Sequence, residues 1–249
     1  MDVSLFVTCL VDQFWPEVGT AASLVLRRAG CIVHFDARQT CCGQPAFNAG
    51  YRDEARAVAR ALLEIYGTRS DPIVVPSGSC GAMLRHLPEL FRDDPGAFPR
   101  ARSIAKRTHE LGAFLVRILG VEDLGASFAG RVAWHDSCHA RRWLGIEEEP
   151  RRLIARVAGA ELVELPDREA CCGFGGTFAV KHPEISVAML DAKLAGLRAA
   201  GVDAVAGSDV SCLMQIGGRL ARERSPIRVL HLAELLAGDG AAAAPGGPR

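Results

Sequence analysis

The chain has 249 residues, of which 49% are hydrophobic and 23% are charged, so it can form one large domain or two small ones. Its 29 Lys and Arg residues balance 29 Asp and Glu residues, which excludes the strongly basic surface typical of nucleic-acid-binding proteins. No apolar run approaches the about 20 residues that cross a bilayer, and the first residues lack a basic signal-peptide region. We therefore expect a cytoplasmic protein without a transmembrane segment.

Short apolar runs rich in β-branched residues alternate with helical patterns along the chain. The predicted strands lie at residues 3–8, 31–35, 72–76, 131–135, 161–165, 203–206 and 227–229. The predicted helices lie at residues 55–66, 149–158, 183–200 and 231–236. This alternation predicts an α/β fold with two similar repeats, each a small parallel sheet flanked by helices.

The repeat also sets the expected domain boundaries. We predict a first repeat at residues 1–95, a helical linker at 96–130 and a second repeat at 131–237. Residues 238–249 are rich in Ala, Gly and Pro without an apolar face, and we expect a disordered tail there.

The cysteines are the most informative residues of the chain. Their number is nine, so they cannot all pair in disulfides, which a reducing cytoplasm would disfavour in any case. Two pairs, Cys41-Cys42 and Cys171-Cys172, are adjacent in sequence. Their Cα atoms, about 3.8 Å apart, are too close for an unstrained disulfide. The pattern therefore favours thiolate chemistry at a metal, a cluster or a redox centre.

Eight of the cysteines form two sets with matched spacing. The first cysteine set is Cys9, Cys41, Cys42 and Cys80, and the second cysteine set is Cys138, Cys171, Cys172 and Cys212. Each member follows a predicted strand, and parallel strands present their carboxyl ends at one edge of a sheet, so each set should gather at such an edge. The ninth cysteine, Cys31, lies inside a predicted strand and is expected in the core.

Several kinds of site remain open for these thiols. Structural zinc usually shows a C-x₂₋₄-C knuckle, which this chain lacks, whereas an iron–sulfur cluster uses four thiolates that can come from separate loops. His135 and His139 flank Cys138 and could hydrogen-bond a cluster sulfur or bind the metal. Cys80 could act as a nucleophile, but the sequence identifies no partner histidine for it. No P-loop or G-x-G-x-x-G motif is present, so nucleotide binding has little support.

The duplicated Cys-Cys-Gly pattern resembles the cysteine-rich CCG domain family. That family includes the B subunit of heterodisulfide reductase and the iron–sulfur subunits of glycolate and anaerobic glycerol-3-phosphate oxidation. The chain is similar to the lactate-utilisation protein A branch over nearly all of residues 1–237. The segments that carry this similarity are 9–12, 15–19, 39–48, 76–80, 135–139, 171–178 and 211–215.

The resemblance implies an electron-transfer subunit of a cytoplasmic complex that oxidises L-lactate to pyruvate, rather than an enzyme acting alone. The implied cofactor is one iron–sulfur cluster per repeat, of the [4Fe–4S] type, bound by the eight repeated cysteines; one repeat could instead hold zinc or nothing. The implied partners are a ferredoxin-type iron–sulfur B subunit and a small C subunit. The chain itself lacks the C-x₂-C-x₂-C-x₃-C run of ferredoxin-type clusters.

One departure from the family pattern keeps two alternatives open. Heterodisulfide reductase repeats end in C-x-x-C, and Ser77 and Asp209 stand where the additional cysteine would be. The first alternative is a heterodisulfide-reductase-like thiol/disulfide redox enzyme. The second is a zinc-stabilised interaction module.

Overall fold

A computed structural model describes residues 1–238 of the chain. The tail predicted at 238–249 lies, apart from Gly238, outside the described residues. Over the described range, no helix combines the length and the apolar character needed to cross a membrane.

Two four-stranded parallel sheets with the same strand order form the framework. The first sheet has the order β2-β1-β3-β4, with strands β1 (Asp2–Leu5), β2 (Ile32–His34), β3 (Ile73–Val75) and β4 (Thr108–Glu110). The second has the order β6-β5-β7-β8, with strands β5 (Ser127–His135), β6 (Ala158–Val163), β7 (Ala204–Gly207) and β8 (Arg228–His231). The two central strands of each sheet are parallel. Strand β1 pairs with β3 from Ser4 opposite Ile73, and β5 pairs with β7 from Val132 opposite Ala204. The predicted α/β fold with two similar repeats is confirmed.

Helices connect and cover the strands of both halves. In the first half they are α1 (Cys9–Phe14), α2 (Pro16–Arg28), α3 (Gln44–Asn48), α4 (Arg52–Tyr66), α5 (Gly78–Leu90), α6 (Phe98–Arg107) and α7 (Leu111–Ala113), which continues as a π-helix (Phe114–Leu119). In the second half they are α8 (Cys138–Leu144), α9 (Glu148–Ile154), α10 (Thr177–Lys181), α11 (Pro183–Ala199), α12 (Val210–Arg222) and α13 (Leu232–Ala237). The periodic pattern at 55–66 lies in α4, whose apolar face, including Ala55, Ala59 and Leu62, is buried.

The segment predicted as a helical linker contains more than helix. Residues 96–130 include α6 and the π-helix, but they also include β4, which pairs in parallel with β3 from Ile73 opposite Thr108 to Val75 opposite Glu110. Strand β4 has the sequence Thr-His-Glu, which carries no apolar alternation, so the sequence pattern missed it. The exact limits of the two repeats stay a prediction.

The two halves share one apolar core in addition to a core of their own. Leu5, Phe114, Trp134 and Leu232 come from both halves and pack in this shared cluster. Cys31 is 6% exposed and packs in the same cluster, as predicted from its place in a strand. The shared core therefore holds the two sheets, and the loops at their carboxyl edges, in a fixed relation.

Helices α5 and α8 approach each other closely where the halves meet. A Cβ built on Gly78, the first residue of α5, would lie 2.5 Å from the Cβ of Ala140 in α8. Only glycine fits this contact, because real Cβ atoms do not approach so closely. The beginnings of the two helices, which carry Cys80 and Cys138, are thereby brought to the same interface.

Candidate metal centres

The first cysteine set gathers at the carboxyl edge of the first sheet. Cys9 is the first residue of α1, after Thr8, whose hydroxyl accepts from the Val11 backbone N–H and caps the helix. Cys80 lies in the first turn of α5, and its own N–H donates to the hydroxyl of the capping residue Ser77 at 3.1 Å. Helix capping therefore fixes two members of the set at helix N-termini.

The adjacent pair Cys41-Cys42 completes the first set from the loop after β2. Gly43 follows in the left-handed conformation, with φ of +86°, and its N–H donates to the Cys41 sulfur at 3.4 Å. The sulfurs of Cys42 and Cys80 are 3.3 Å apart, and those of Cys9 and Cys41 are 3.7 Å apart. The four thiols that the sequence predicted as ligands thus lie together.

The second cysteine set repeats this arrangement on the second sheet. Cys138 begins α8, Cys212 lies in the first turn of α12, and Cys171-Cys172 precede Gly173, whose φ is +81°. The Gly173 N–H donates to the Cys171 sulfur at 3.4 Å, the same distance as in the first set. The duplicated spacing of the sequence therefore corresponds to a duplicated site geometry.

The thiols within each set interact strongly enough to change their acidity. Hydrogen bonds from Cys42 and Cys9 hold the pKa of Cys41 far below that of an ordinary thiol. Equivalent hydrogen bonds lower the pKa of Cys171 in the second set. Hydrogen bonding to neighbouring thiols, followed by burial, raises the pKa values of Cys9 in the first set and Cys172 in the second, so each set keeps some protons of its own. A thiophilic metal would displace these protons, because it binds the deprotonated thiolate rather than the thiol.

All nine cysteines, which lie within the described residues, have free thiols. Each set supplies four cysteine sulfurs, two of them well buried, which suits zinc or an iron–sulfur cluster rather than a hard cation such as Mg²⁺. The donor chemistry therefore fits the metal group expected from the sequence.

The structure separates the two histidines that flank Cys138. His135, at the end of β5, is 1% exposed, and one of its ring nitrogens forms a group with the sulfurs of Cys172 and Cys212 in which all three atoms lie within 4.8 Å of one another. His139 lies beside the other side of the set, with its Nδ1 3.6 Å from the Cys138 sulfur. Burial lowers the pKa of His139, which favours its neutral form.

Asp209, which the sequence marked only as a departure from the family pattern, joins the two halves. Its carboxylate is 1% exposed and accepts hydrogen bonds from the Ser77 hydroxyl at 2.6 Å and the Ser79 hydroxyl at 2.7 Å. It also accepts from the Ser79 N–H at 3.0 Å and from the Ser137 hydroxyl. Burial alone would raise the pKa of Asp209, but these hydrogen bonds outweigh it and lower the pKa.

This buried carboxylate ties together the helix N-termini that carry three of the site cysteines. Asp209 is the N-cap residue of α12, Ser137 that of α8 and Ser77 that of α5. Each of these residues lies less than one helical turn before its cysteine, which is Cys212, Cys138 or Cys80 respectively. The positions of the two cysteine sets are therefore coupled through one side chain.

Lys193 is a second residue that sequence reasoning missed, and it acts on the loop of the second set. Its side chain is buried in α11, and its Nζ donates to the backbone carbonyls of Ala170 at 3.1 Å and Arg168 at 3.4 Å. Burial lowers the pKa of Lys193. The signal available in the sequence was a Lys at the spacing of Leu190, Leu194 and Leu197 in the helical pattern, because a Lys on a buried face needs polar partners.

The first half has an apolar residue at the position of Lys193. Gly43 faces the Ala55 carbonyl in α4, and Gly173 faces the Ser186 carbonyl in α11, so these helix positions correspond. Leu62 and Lys193 each lie seven residues further along, on the same helix face. Leu62 is fully buried in the core of the first half.

The duplicated geometry agrees with comparison to known proteins. The cysteine-rich CCG domain matches this chain twice, at residues 3–85 and 132–217. The chain belongs to the CCG cysteine-rich domain family. Each matched segment contains one complete cysteine set, so the resemblance expected from the sequence is confirmed.

Named relatives match nearly the whole chain. Lactate utilization protein A of Geobacillus kaustophilus (strain HTA426) is 50% identical over 236 residues, which cover 95% of this chain and 98% of that protein. Lactate utilization protein A of Bacillus subtilis (strain 168) is 46% identical over 236 residues, covering 95% of this chain and 99% of that protein. The similarity therefore includes both halves and the connection between them.

Proposed function

We propose that this chain is an iron–sulfur electron-transfer subunit of a cytoplasmic complex that oxidises L-lactate to pyruvate. Each cysteine set would hold one cluster of the [4Fe–4S] type. The observation that carries the proposal is the duplicated four-thiol site in a chain similar over 95% of its length to proteins named for lactate utilization.

The proposed role matches the electron count of the reaction. Oxidation of lactate to pyruvate releases two electrons and two protons, and a bound cluster of this kind takes up or gives off one electron at a time. Two such centres in one chain suit a two-electron donor. In each half the protein supplies a backbone N–H, from Gly43 or Gly173, to a ligand sulfur, and such hydrogen bonds favour the reduced state.

The exposure of the cysteines supports a relay function. Cys9 and Cys41 in the first set, and Cys138 and Cys171 in the second, are partly exposed, whereas the other members are buried. Electrons can therefore enter and leave through one side of each site. We expect the partners to be a ferredoxin-type iron–sulfur B subunit and a small C subunit.

The proposal is tested by an anaerobic absorption spectrum with iron, sulfide and zinc quantified on the same sample. We expect a brown protein with a broad absorption band at ~400 nm and roughly four to eight irons per chain, because each cluster contains about four irons. A protein that stays colourless after anaerobic reconstitution with iron and sulfide would contradict the cluster assignment.

The link to lactate needs a separate test with the partner subunits present. We expect lactate to bleach the cluster absorption of the reconstituted complex, and this chain alone to show no bleaching. Full iron content without lactate-dependent bleaching in the complex would contradict the assignment to lactate oxidation while leaving the electron-transfer role intact.

A zinc-stabilised interaction module is a second candidate, favoured by the sulfur separations. The distances of 3.3 and 3.7 Å within the first set approach the about 3.8 Å edge of a tetrahedral site with Zn–S bonds of about 2.3 Å. Stoichiometric zinc in a colourless protein would favour this candidate.

A heterodisulfide-reductase-like activity has less support from the residues. Ser77 and Asp209, at the positions of the additional cysteines, hydrogen-bond each other. We therefore do not assign either of them as a further cluster ligand.

A further inference from the structure

The second site contains one potential ligand that the first site lacks. His135 precedes Cys138 by three residues, and Phe6 precedes Cys9 by the same number. Phe6 is fully buried in the core of the first half, where its ring meets that of Tyr66. The two halves therefore differ in donor chemistry at one equivalent position.

The neighbours of His135 hold it at the end of β5. Asp136 accepts hydrogen bonds from the Trp134 indole at 3.0 Å and from the guanidinium of Arg151 at 2.7 Å. Both residues that flank His135 are thereby fixed in the interior. Because successive strand residues point to opposite faces, the imidazole lies on the other side, toward the cysteines.

The imidazole of His135 is buried without a hydrogen bond of ordinary geometry. Within the described chain, neither its Nδ1 nor its Nε2 makes one, although the side chain is 1% exposed and lies against the Cys212 thiol. Leaving a buried polar group without a hydrogen bond is unfavourable. One of these nitrogens lies within 4.8 Å of the sulfurs of Cys172 and Cys212, which are themselves within that distance of each other.

We propose that His135 is a direct metal ligand of the second site, together with Cys172 and Cys212. The second site is then a mixed sulfur and nitrogen site, whereas the first site is bound by sulfur alone. A neutral imidazole and thiolates are both preferred ligands of zinc and of iron in proteins. The inference builds on the metal-holding role proposed for the cysteine sets, but it does not depend on which metal is bound.

Cadmium provides a direct test, because Cd²⁺ occupies thiolate sites and its ¹¹³Cd nucleus couples to a bonded ¹⁵N. The full-length apoprotein, made with ¹⁵N-labelled histidine, is loaded with ¹¹³Cd²⁺ and studied by NMR. We expect two ¹¹³Cd resonances, one from each site, with only one of them split by ¹⁵N. The splitting reports a metal–nitrogen bond, which a histidine with only a structural role would not give.

Two variants assign the splitting to one histidine. His135→Phe introduces at the second site the residue type that Phe6 provides at the equivalent position of the first. We expect the splitting to disappear while both resonances remain. His139→Phe is the matched control, since His139 lies beside the same set, and we expect the splitting to persist. Competition with a chelator should show at least about tenfold weaker binding at the second site of His135→Phe only.

The results separate this inference from the proposed function. Two unsplit resonances in the parent protein, or splitting that survives in His135→Phe, would overturn the assignment of His135. That result would leave a brown, iron-containing protein unaffected. Conversely, ¹⁵N splitting in a protein that assembles no cluster would support His135 as a ligand while contradicting the iron–sulfur proposal.

Discussion

The two cysteine sets have the same backbone setting but different surroundings. Around the first set, Phe6 and Leu62 are apolar and fully buried, whereas His135 and Lys193 occupy the equivalent positions around the second. The duplicated fold thus retains the thiols and changes the charge and hydrogen-bonding groups near them. Under the ligand assignment proposed above, the two metal centres would have unequal ligands and unequal electrostatic environments.

The largest expected effect comes from removing one cysteine of an adjacent pair. We expect Cys42→Ser to lose the metal of the first half and Cys172→Ser that of the second, because each set has its own ligands. Metal content per chain should fall by about half in either variant and almost completely in the double variant. Full retention of metal by Cys42→Ser would contradict the ligand assignment.

The glycines that follow the adjacent cysteines should differ in their tolerance of a side chain. A Cβ on Gly173 would lie 2.4 Å from the Ser186 carbonyl oxygen, whereas one on Gly43 would lie 3.3 Å from that of Ala55. Both also have positive φ, which costs an alanine about 1–2 kcal/mol. We expect Gly173→Ala to lower the free energy of unfolding by about 4 kcal/mol and Gly43→Ala by about 2 kcal/mol. Equal losses in denaturant titrations would contradict this difference.

The capping residues Asp209 and Ser77 provide a further contrast between the halves. Asp209→Asn removes the charge that accepts from three serines, and we expect a loss of about 3 kcal/mol in the free energy of unfolding. Ser77→Ala removes one of these donors and the cap of α5, and we expect a loss of about 1–2 kcal/mol. Urea unfolding of the metal-free proteins measures both, and a larger loss for Ser77→Ala would refute the central role of Asp209.

The two halves should also respond to pH in opposite directions. Glu110 and His231 each end the last strand of their sheet and cap the following helix. Burial raises the pKa of Glu110 to about 7 and lowers that of His231 to about 4. Glu110 therefore contributes its full stability below its ordinary pKa of 4.5 and loses it as pH rises to about 7. His231 contributes fully above its ordinary pKa of 6.5 and loses this as pH falls to about 4.

Replacing one of these residues should expose the pH dependence of the other. We expect Glu110→Gln to lose stability as pH falls from 6.5 to 4.5, and His231→Gln to lose stability as pH rises from 4.5 to 7. Each trend is at most about 3 kcal/mol in the free energy of unfolding, and the two partly cancel in the parent protein. Identical pH profiles for the two variants would show that neither group titrates as described.

The smallest effect concerns the reduction potential of the second centre. Lys193→Met removes a buried positive charge near the second set, and we expect the potential of that centre to fall by about 60 mV, or about 1.4 kcal/mol for one electron. Leu62→Met is the matched change in the first half and should leave both potentials unchanged. Potentiometric titration followed by electron paramagnetic resonance measures them. If the reduction potential of the second centre is unchanged in Lys193→Met, the expected electrostatic effect of Lys193 is wrong.

The sequence alone was sufficient for the α/β repeat and for the grouping of the thiols. Strands 3–8 and 131–135 are each followed by a cysteine, and parallel strands bring such positions to one edge. The sequence was not sufficient to predict β4. Residues Thr108–Glu110 are extended because they pair with β3, and they have no hydrophobic alternation of their own. The assignment of the eight cysteines and His135 as metal ligands stays a prediction.

Local patterns and spacing thus determined seven of the eight strands, the duplication and the two cysteine sets in the described part of this protein. Only the tertiary structure decided that Asp209 reaches Ser77 across 132 residues of chain, and that Lys193 supports the loop before Cys171. It also decided that His135 is buried beside Cys172 and Cys212 rather than simply near Cys138 in sequence. Hydrogen bonds and burial of this kind join residues far apart in the chain, and their energies depend on the packed surroundings rather than on any periodicity.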